Sequence, residues 1–489
     1  MDKKLCENCL LCHDAPCSAV CPYKQQPEKI IRSIRFKNIK GAYKSVSDAC
    51  LNCPAPCEKA CVSVSKVNIK KTLSECYTEK TKQKITYKKG DIRSDICGIE
   101  IENPFLLSSS VVSSSYDMCK RAFMAGWAGA SFKTICMMDI HEASPRFSAI
   151  KNDDETFAAF KNIEQLSDHD LSENLEIFRK LKKEFPKKFL LVSIMGRNDE
   201  EWAYIAKEAE KAGADALELN FSCPNMMESG TGSAIGQNPE LVERFTRAVV
   251  KAVKIPVIAK LTPNVATMSP AALAAKKGGA KGIAAINTIH SITEFDAISQ
   301  VCLKGETEKF ATGGLSGKAV KPIALRFISE LAKNQQLKGM HISAMGGIYN
   351  CEDALMFFSL GAQSIQITTA VMEYGYRIIE DLVEGLEYAV GASGYSSLKE
   401  LIGSNLCNLV DVNDIERDVV VYPRFDRTKC VHCGRCHISC RDGGHQAISF
   451  GKDRMPILDP KKCVGCHLCV LVCPNHAIVS SKIKVKKQK

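Results

Sequence analysis

A chain of 489 residues exceeds one ordinary domain and has the mass for a large buried core. Its hydrophobic and charged fractions, 45% and 25%, are those of a globular protein, and no apolar run reaches the roughly 18 residues of a membrane span. The formal net charge of +11 raises nucleic acid as a partner, but it counts all 25 cysteines as neutral. The start, MDKKLCENCLLC, carries neither the apolar core nor the cleavage site of a signal peptide, so a cytoplasmic protein without a membrane partner is expected. The cysteines are unevenly placed: ten fall between Cys6 and Cys76, seven are scattered from Cys97 to Cys407, and eight crowd between Cys430 and Cys473. In a large chain without a leader, regular CxxC spacing points to metal or cluster binding rather than to disulfides.

The first elements are two cysteine runs. Cys9-x2-Cys12-x4-Cys17-x3-Cys21-Pro22 is followed by Cys53-Pro54-Ala55-Pro56-Cys57-Glu58-Lys59-Ala60-Cys61, and IIRSIRFKNIKGAYKSV between them has helical periodicity. Zinc or disulfides are the alternatives on spacing alone. The runs resemble the N-terminal cluster domain of the glutamate synthase small subunit and of single-chain dihydropyrimidine dehydrogenases, which implies a helical domain over residues 1–88 holding two [4Fe–4S] clusters. By that resemblance Cys9, Cys12, Cys17 and Cys61 hold one cluster, while Cys21, Cys53 and Cys57 supply three ligands of the other. Those families complete the second cluster with a Gln or Glu beyond the last cysteine. Here that position falls near Leu73, which cannot ligate, so Cys76 is the expected fourth ligand, with Glu75 beside it. Cys6 and Cys50 are read as spare thiols.

Eight short β-rich runs come next: PFLLSSS, GASFKTI, FLLVSIM, ALELNFS, PVIAKLT, GIAAINT, MHISAMGG and SIQITTAV. Amphipathic stretches such as DEEWAYIAKEAEKAG and PELVERFTRAVVKAV separate them. Eight such units predict an α/β chain with a (β/α)8 TIM barrel over residues 91–395, with a doubly wound sheet as the other arrangement. No GxGxxG follows a strand, and GTGSAIG at 230–236 has the wrong spacing, so a Rossmann-type NAD or FAD site is not expected. Active residues of a barrel cluster at the C-terminal strand ends. The runs end in Lys133-Thr134, Asn220-Phe221-Ser222-Cys223, Lys260, Asn287-Thr288, Gly346-Gly347 and Thr368-Thr369. Glycines and hydroxyls after the last two strands suit a phosphate, because glycine lets backbone N–H groups approach it.

After a linker at 396–428, the segment 429–480 reads Cys430-x2-Cys433-x2-Cys436-x3-Cys440, then Cys463-x2-Cys466-x2-Cys469-x3-Cys473-Pro474. Zinc ribbons use cysteine pairs rather than triplets. The segment resembles the bacterial two-cluster ferredoxins, in which the last cysteine of each run closes the other cluster. Cys473 then joins Cys430, Cys433 and Cys436, and Cys440 joins Cys463, Cys466 and Cys469. Residues 481–489 are read as a solvated basic tail. Four clusters at about −2 each would lower the formal charge to about +3, which removes the case for nucleic acid.

The barrel motifs SFKT, LNFSCPN, AKLTPN, INT, GGLSGKAVKPIALRFI and the GGI at 346–348 resemble the FMN barrel of dihydroorotate and dihydropyrimidine dehydrogenases. With the two-cluster segment, residues 91–480 resemble the catalytic subunits of bacterial NAD-dependent dihydropyrimidine dehydrogenases. The resemblance implies FMN bound by Ser109, Lys133, Thr134, Lys260, Gly317, Gly346, Gly347, Thr368 and Thr369, with Cys223 as the general acid. It implies a pyrimidine held by Asn162, Glu164, Asn220, Ser222, Asn225, Asn287 and Thr288. The implied reaction is reduction of uracil or thymine to the 5,6-dihydro form. Electrons would come from a partner FAD/NAD-binding flavoprotein or a ferredoxin, in a homodimer or hetero-oligomer. Glu164, two residues after Asn162, favours a neutral pyrimidine over orotate, since a carboxylate repels a carboxylate. A dihydroorotate dehydrogenase and a non-catalytic electron-transfer subunit are the alternatives. Cys97, Cys119, Cys136, Cys302, Cys351 and Cys407 have no partners at ligand spacing and read as core residues.

Overall fold

Runs of Val, Ile, Leu and Phe bounded by Gly, Pro and Asn set the elements, and the computed structural model describes residues 6, 8–65, 67–152, 156–224, 231–293 and 311–486. The chain divides into two compact units, Met1–Leu406 and Cys407–Lys489. No helix among the described residues is long and apolar enough to cross a membrane.

The first unit opens with helices. Pro27 occupies the first turn of α1 (Pro27–Arg35), where no N–H is needed. The Asn38 side chain caps α2 (Ile39–Ser45) by accepting from the Gly41 N–H, and α3 (Ile69–Lys82) comes after the second cysteine run. Ile30, Ile31 and Ile34 of α1 are buried, the spacing of a single apolar face. These helices share one hydrophobic core with residues as far along the chain as Leu401. Arg32 donates to Asp381 at 2.7 Å and to Glu380 at 2.6 Å, and Ser33 donates to Asp381 at 2.6 Å. The Arg377 guanidinium donates in turn to the Leu11 and Cys12 carbonyls.

Eight parallel strands then close a barrel in chain order, at the eight runs the sequence marks. They are β1 (Phe105–Leu107), β2 (Gly129–Ile135), β3 (Phe189–Ile194), β4 (Ala216–Phe221), β5 (Val257–Leu261), β6 (Gly282–Ala285), β7 (His341–Ala344) and β8 (Ser364–Ile367). Between them run helices such as α4 (Tyr116–Ala125), α5 (Asp199–Lys211), α6 (Pro239–Ala252), α7 (Lys321–Lys333) and α8 (Cys351–Ser359), and α9 (Ile378–Ala392) comes after β8. Asparagines cap three of these: Asn198, Asn238 and Asn350 each accept from a first-turn N–H.

The barrel interior is layered. Leu106, Leu191, Ala216, Ile258, Ala284 and Met345 form an apolar layer, joined by Ile96 and Ile101 of the hairpin that precedes β1. Two residues further along β3, β4 and β5, on the same face, stand Ser193, Glu218 and Lys260, all buried. The opposite strand faces bury Trp127, Trp202, Phe132 and Phe178 with the surrounding helices.

A four-stranded antiparallel sheet that the sequence pattern does not signal rises from the loops after β2 and β6. Its order is Ile289–Ser291, Gly313–Ser316, Phe157–Asn162, Phe147–Lys151. The strands are short and mostly half-buried, so they lack the long apolar runs that betray the barrel.

In the second unit, Val419–Phe425 pairs antiparallel with Ile478–Lys486. Neither the linker assigned to 396–428 nor the tail from 481 is therefore unstructured throughout. Both are rich in β-branched residues, VVVYPRF and IVSSKIKVK, and each supplies the backbone partners of the other. The helix α10 (Arg435–Gly443) and the hairpin of Ile448–Phe450 with Pro456–Leu458 complete this unit. Cys407 is exposed rather than a core residue, Cys97 is half-buried, and Cys302 lies outside the described residues.

Candidate active site

The register of the parallel sheet assembles the site. Asn220 at the end of β4 lies opposite Lys260 on β5, so both enter the barrel mouth side by side. Lys260 Nζ stands 3.2 Å from Glu218 Oε1 and 3.5 Å from Ser108 Oγ. The Glu218 carboxylate is fully buried and accepts from Ser131 Oγ at 3.1 Å and from Gln366 Nε2 at 2.9 Å. A buried charge needs such partners, and their geometry fixes the ammonium above them. Glu218 is absent from the residues expected from sequence, although a lone acid inside the apolar run ALELNFS signals that it faces the barrel interior.

Lys133 at the end of β2 is held differently. Its Nζ is 2.8 Å from Glu164 Oε2 and 3.5 Å from Glu142 Oε1, while Arg146 Nη1 donates to Glu164 Oε1 at 2.7 Å. Two cations and two carboxylates leave this cluster formally neutral. The Arg146 guanidinium, hydrogen-bonded to Glu164, is held above its ordinary pKa. Glu142 and Arg146 are not among the expected residues either, because they sit in the unpatterned loop after β2.

One cleft of about 1070 Å³, its open mouth included, collects most of the expected residues. Ser109, Lys133, Thr134, Lys260, Gly317, Gly346, Gly347, Thr368 and Thr369 line it, as do Asn162, Glu164, Asn220, Cys223, Asn287 and Thr288. Ser222 is fully buried behind the wall, where it accepts from Asn287 Nδ2 at 2.7 Å and donates to Asn220 Oδ1 at 2.9 Å. Asn220 Nδ2 donates onward to Thr134 Oγ1 at 2.9 Å. A chain of neutral hydrogen bonds thus orients the two amides facing the cleft. Asn225 lies outside the described residues. Phe147 and Phe160 of the antiparallel sheet add an apolar wall, their ring centroids 5.4 Å apart.

The cleft has the features that FMN requires. Gly347 has φ +75°, and a Cβ there would meet Lys321 Cβ at 2.6 Å, so only glycine leaves this backbone in place. Gly346 beside it, together with Thr368 and Thr369, completes a rim of backbone and hydroxyl groups suited to a phosphate. Gln366 Nε2 is committed to Glu218 and Ser343, which leaves Gln366 Oε1 buried at the cleft without a partner among the described residues. That acceptor suits a ring N–H.

The thiols gather around three further cavities. Cys430, Cys433, Cys436 and Cys473 line one, and Cys440, Cys463, Cys466 and Cys469 line another, the crossed grouping that the ferredoxin resemblance implies. The Ala477 and Ala447 N–H groups donate to Cys473 Sγ and Cys440 Sγ at 3.2 and 3.3 Å. Near the N-terminus, burial pushes the Cys9 thiol up to about 11, with charge on Cys17 and Cys12 adding to it. Burial also raises Cys12 and Cys17, and charge on Cys61 adds to both. The charges of these thiols thus act on one another. The third cavity is lined by Cys21, Cys53, Cys57 and Cys50. Cys76 is not among them. It is fully buried on the inner face of α3, where burial pushes it up to about 12 and the thiol of Cys6 adds to the shift. The thiol that lines this cavity beside the three expected ones is Cys50, not the expected Cys76.

Known proteins agree with this geometry. The dihydroorotate dehydrogenase family matches residues 91–390, and a 4Fe-4S dicluster domain matches residues 424–480. The chain is 47% identical over 398 residues to the NAD-dependent dihydropyrimidine dehydrogenase subunit PreA of Escherichia coli (strain K12), covering 81% of this chain and 97% of that protein. It is 33% identical over 331 residues to the chloroplastic dihydropyrimidine dehydrogenase (NADP(+)) of Arabidopsis thaliana, covering 65% and 77%. It is 38% identical over 311 residues to the catalytic subunit of dihydroorotate dehydrogenase B (NAD(+)) of Pyrococcus abyssi, covering 63% and 97%. The chain belongs to the dihydroorotate and dihydropyrimidine dehydrogenase family, as an iron–sulfur oxidoreductase of the class that acts on CH–CH bonds.

Proposed function

We propose that this protein reduces the 5,6 double bond of uracil or thymine at FMN, using electrons from a partner flavoprotein or ferredoxin. The observation that carries the reading is one cleft in which Cys223 faces the same space as the two oriented amides, Asn220 and Asn287, and the two strand-end lysines. The Escherichia coli relative, named as an NAD-dependent dihydropyrimidine dehydrogenase subunit, supports both the substrate and a nicotinamide-binding partner.

Bound FMN supplies hydride chemistry at its ring N5. The residues do the rest. Gly346, Gly347, Thr368 and Thr369 would hold its phosphate, and Lys133 and Lys260 would stand where a cation stabilises negative charge on its ring. Glu218 fixes where the second of these cations stands. Asn162, Asn220 and Asn287 meet the N–H and C=O groups of a neutral pyrimidine, and Glu164, held by Lys133 and Arg146, accepts from a ring N–H. Cys223 gives its Sγ proton to carbon 5 as the hydride reaches carbon 6. Phe147 and Phe160 keep water from that transfer.

The cysteines of residues 429–480 hold two [4Fe–4S] clusters and those of residues 1–88 hold two more, all in the reducing cytoplasm. The barrel of residues 91–395 lies between them in sequence, and the chain works as a homodimer or with its partner subunit.

Anaerobic turnover with reduced viologen tests the substrate. Uracil or thymine should be consumed; activity on dihydroorotate or orotate alone would overturn the reading. Dihydroorotate stays the second reading because the neutral cluster around Glu164 repels a carboxylate less than an isolated acid would. Cys223→Ala should keep its flavin absorbance and lose about 100-fold or more in rate. Near-normal turnover would remove Cys223 from its role.

A further inference from the structure

The second N-terminal cysteine group contains a thiol that its spacing did not single out. Cys50 ends a one-turn helix, Asp48–Cys50, that Ser47 caps by accepting from the Ala49 N–H at 3.3 Å. That turn delivers Cys50 to the cavity lined by Cys21, Cys53 and Cys57. Cys50, Cys53 and Cys57 are all buried around it. Leu73 lines the same cavity. Cys76 shares the buried face of α3 with Leu73 but lies three residues further on, about 4.5 Å along the axis, and does not line this cavity.

We propose that Cys50 is the fourth ligand of the second N-terminal [4Fe–4S] cluster, which makes that cluster all-cysteine. The inference rests on the reading that residues 1–88 bind two clusters. On assembly the Cys50 thiol loses its proton to solvent and its Sγ bonds the fourth iron, so no further ligand is needed from α3. Related cluster domains place a carboxamide or carboxylate where this chain has Leu73. An apolar residue is tolerated there because Cys50, which lines the same cavity, supplies the fourth donor. Four thiolates give the cluster about one more negative charge than three thiolates and a neutral amide, which lowers its reduction potential.

The test is iron and sulfide analysis with EPR on the full chain, reconstituted anaerobically. Wild type should carry about sixteen irons in four clusters. Cys50→Ala should lose about one iron from the affected cluster, with the EPR signal of an oxidised three-iron cluster, or about four irons if the cluster is lost whole. Cys76→Ala should match wild type. Cys50→Ser keeps an oxygen donor, so it should retain iron but show a changed EPR spectrum of the reduced cluster. Cys50→Ala combined with Leu73→Gln should regain the iron and raise the potential of that cluster. Rescue by Leu73→Gln separates a lost ligand from a misfolded domain. An unchanged spectrum in Cys50→Ser, or iron loss in Cys76→Ala alone, would overturn the assignment. About eight irons in the wild type would overturn the reading beneath it, and that failure shows before any variant is made.

Discussion

Replacing Lys260 by Met tests how the barrel holds its buried charge. The two side chains nearly match in length, so packing changes little and the loss is electrostatic. Lys260 and Glu218 are 4% and 0% exposed and 3.2 Å apart. At an effective dielectric near 20 their attraction is about 5 kcal/mol before desolvation is counted. Removing one member of such a pair costs about 3–5 kcal/mol, because the other charge stays buried. Ser131 and Gln366 still donate to Glu218, which keeps the expected cost toward the lower end. Lys260→Met should therefore lose about 3 kcal/mol at pH 7. Lys260→Met with Glu218→Gln should recover most of the loss, since no lone charge remains. Trp127 and Trp202 are the chain's two tryptophans, and both are fully buried in the first unit. Urea unfolding followed by their fluorescence, at fixed FMN, reads this unit without interference from the second. A midpoint for Lys260→Met unchanged at pH 7, or a double variant weaker than the single one, would refute the reasoning.

Burial pushes His341 down from 6.5 to about 4, against a small opposing pull from Asp95, while its Nε2 lies 2.8 Å from Ser364 Oγ. Its folded pKa is depressed, so its contribution is fully present above pH 6.5 and is lost as pH falls toward 4, about 3 kcal/mol in all. His341→Gln should flatten the stability profile across that window, and the same unfolding midpoints check it. Gly347→Ala should weaken FMN retention on gel filtration by 10-fold or more at about 1.4 kcal/mol per decade, because the new Cβ would strike Lys321 and demand φ +75° of alanine. Retention equal to wild type would show that this loop yields. Arg32→Met leaves Asp381 buried without its guanidinium, so limited proteolysis should cut residues before 88 faster than in wild type, with an intact barrel fragment.

The barrel was legible in the sequence for a physical reason: parallel strands covered on both faces read as continuous apolar runs, and each of the eight marked runs became a strand. The polar residues that end those runs were legible too, because the C-terminal ends of barrel strands meet at one mouth. Interactions that depend on loops were not. Glu142 and Arg146 join Lys133 and Glu164 only because the chain folds back after β2. The antiparallel sheet that supplies Phe147 and Phe160 is built from strands too short to show a pattern.

The fourth-ligand question shows the same limit most clearly. Counting residues along the chain pointed past Cys61 to α3, where Cys76 is the nearest thiol. The decision belongs to direction rather than distance. On α3 a step of three residues keeps a side chain on the same face but moves it nearly one turn along the axis, away from the cavity that Leu73 touches. A short capped turn can instead aim Cys50 at that cavity from before Cys53, and spacing alone cannot distinguish a spare thiol from one aimed by a turn. Where the backbone turns, a ligand set is decided by which side chains face one volume, and that is fixed only when the chain is folded.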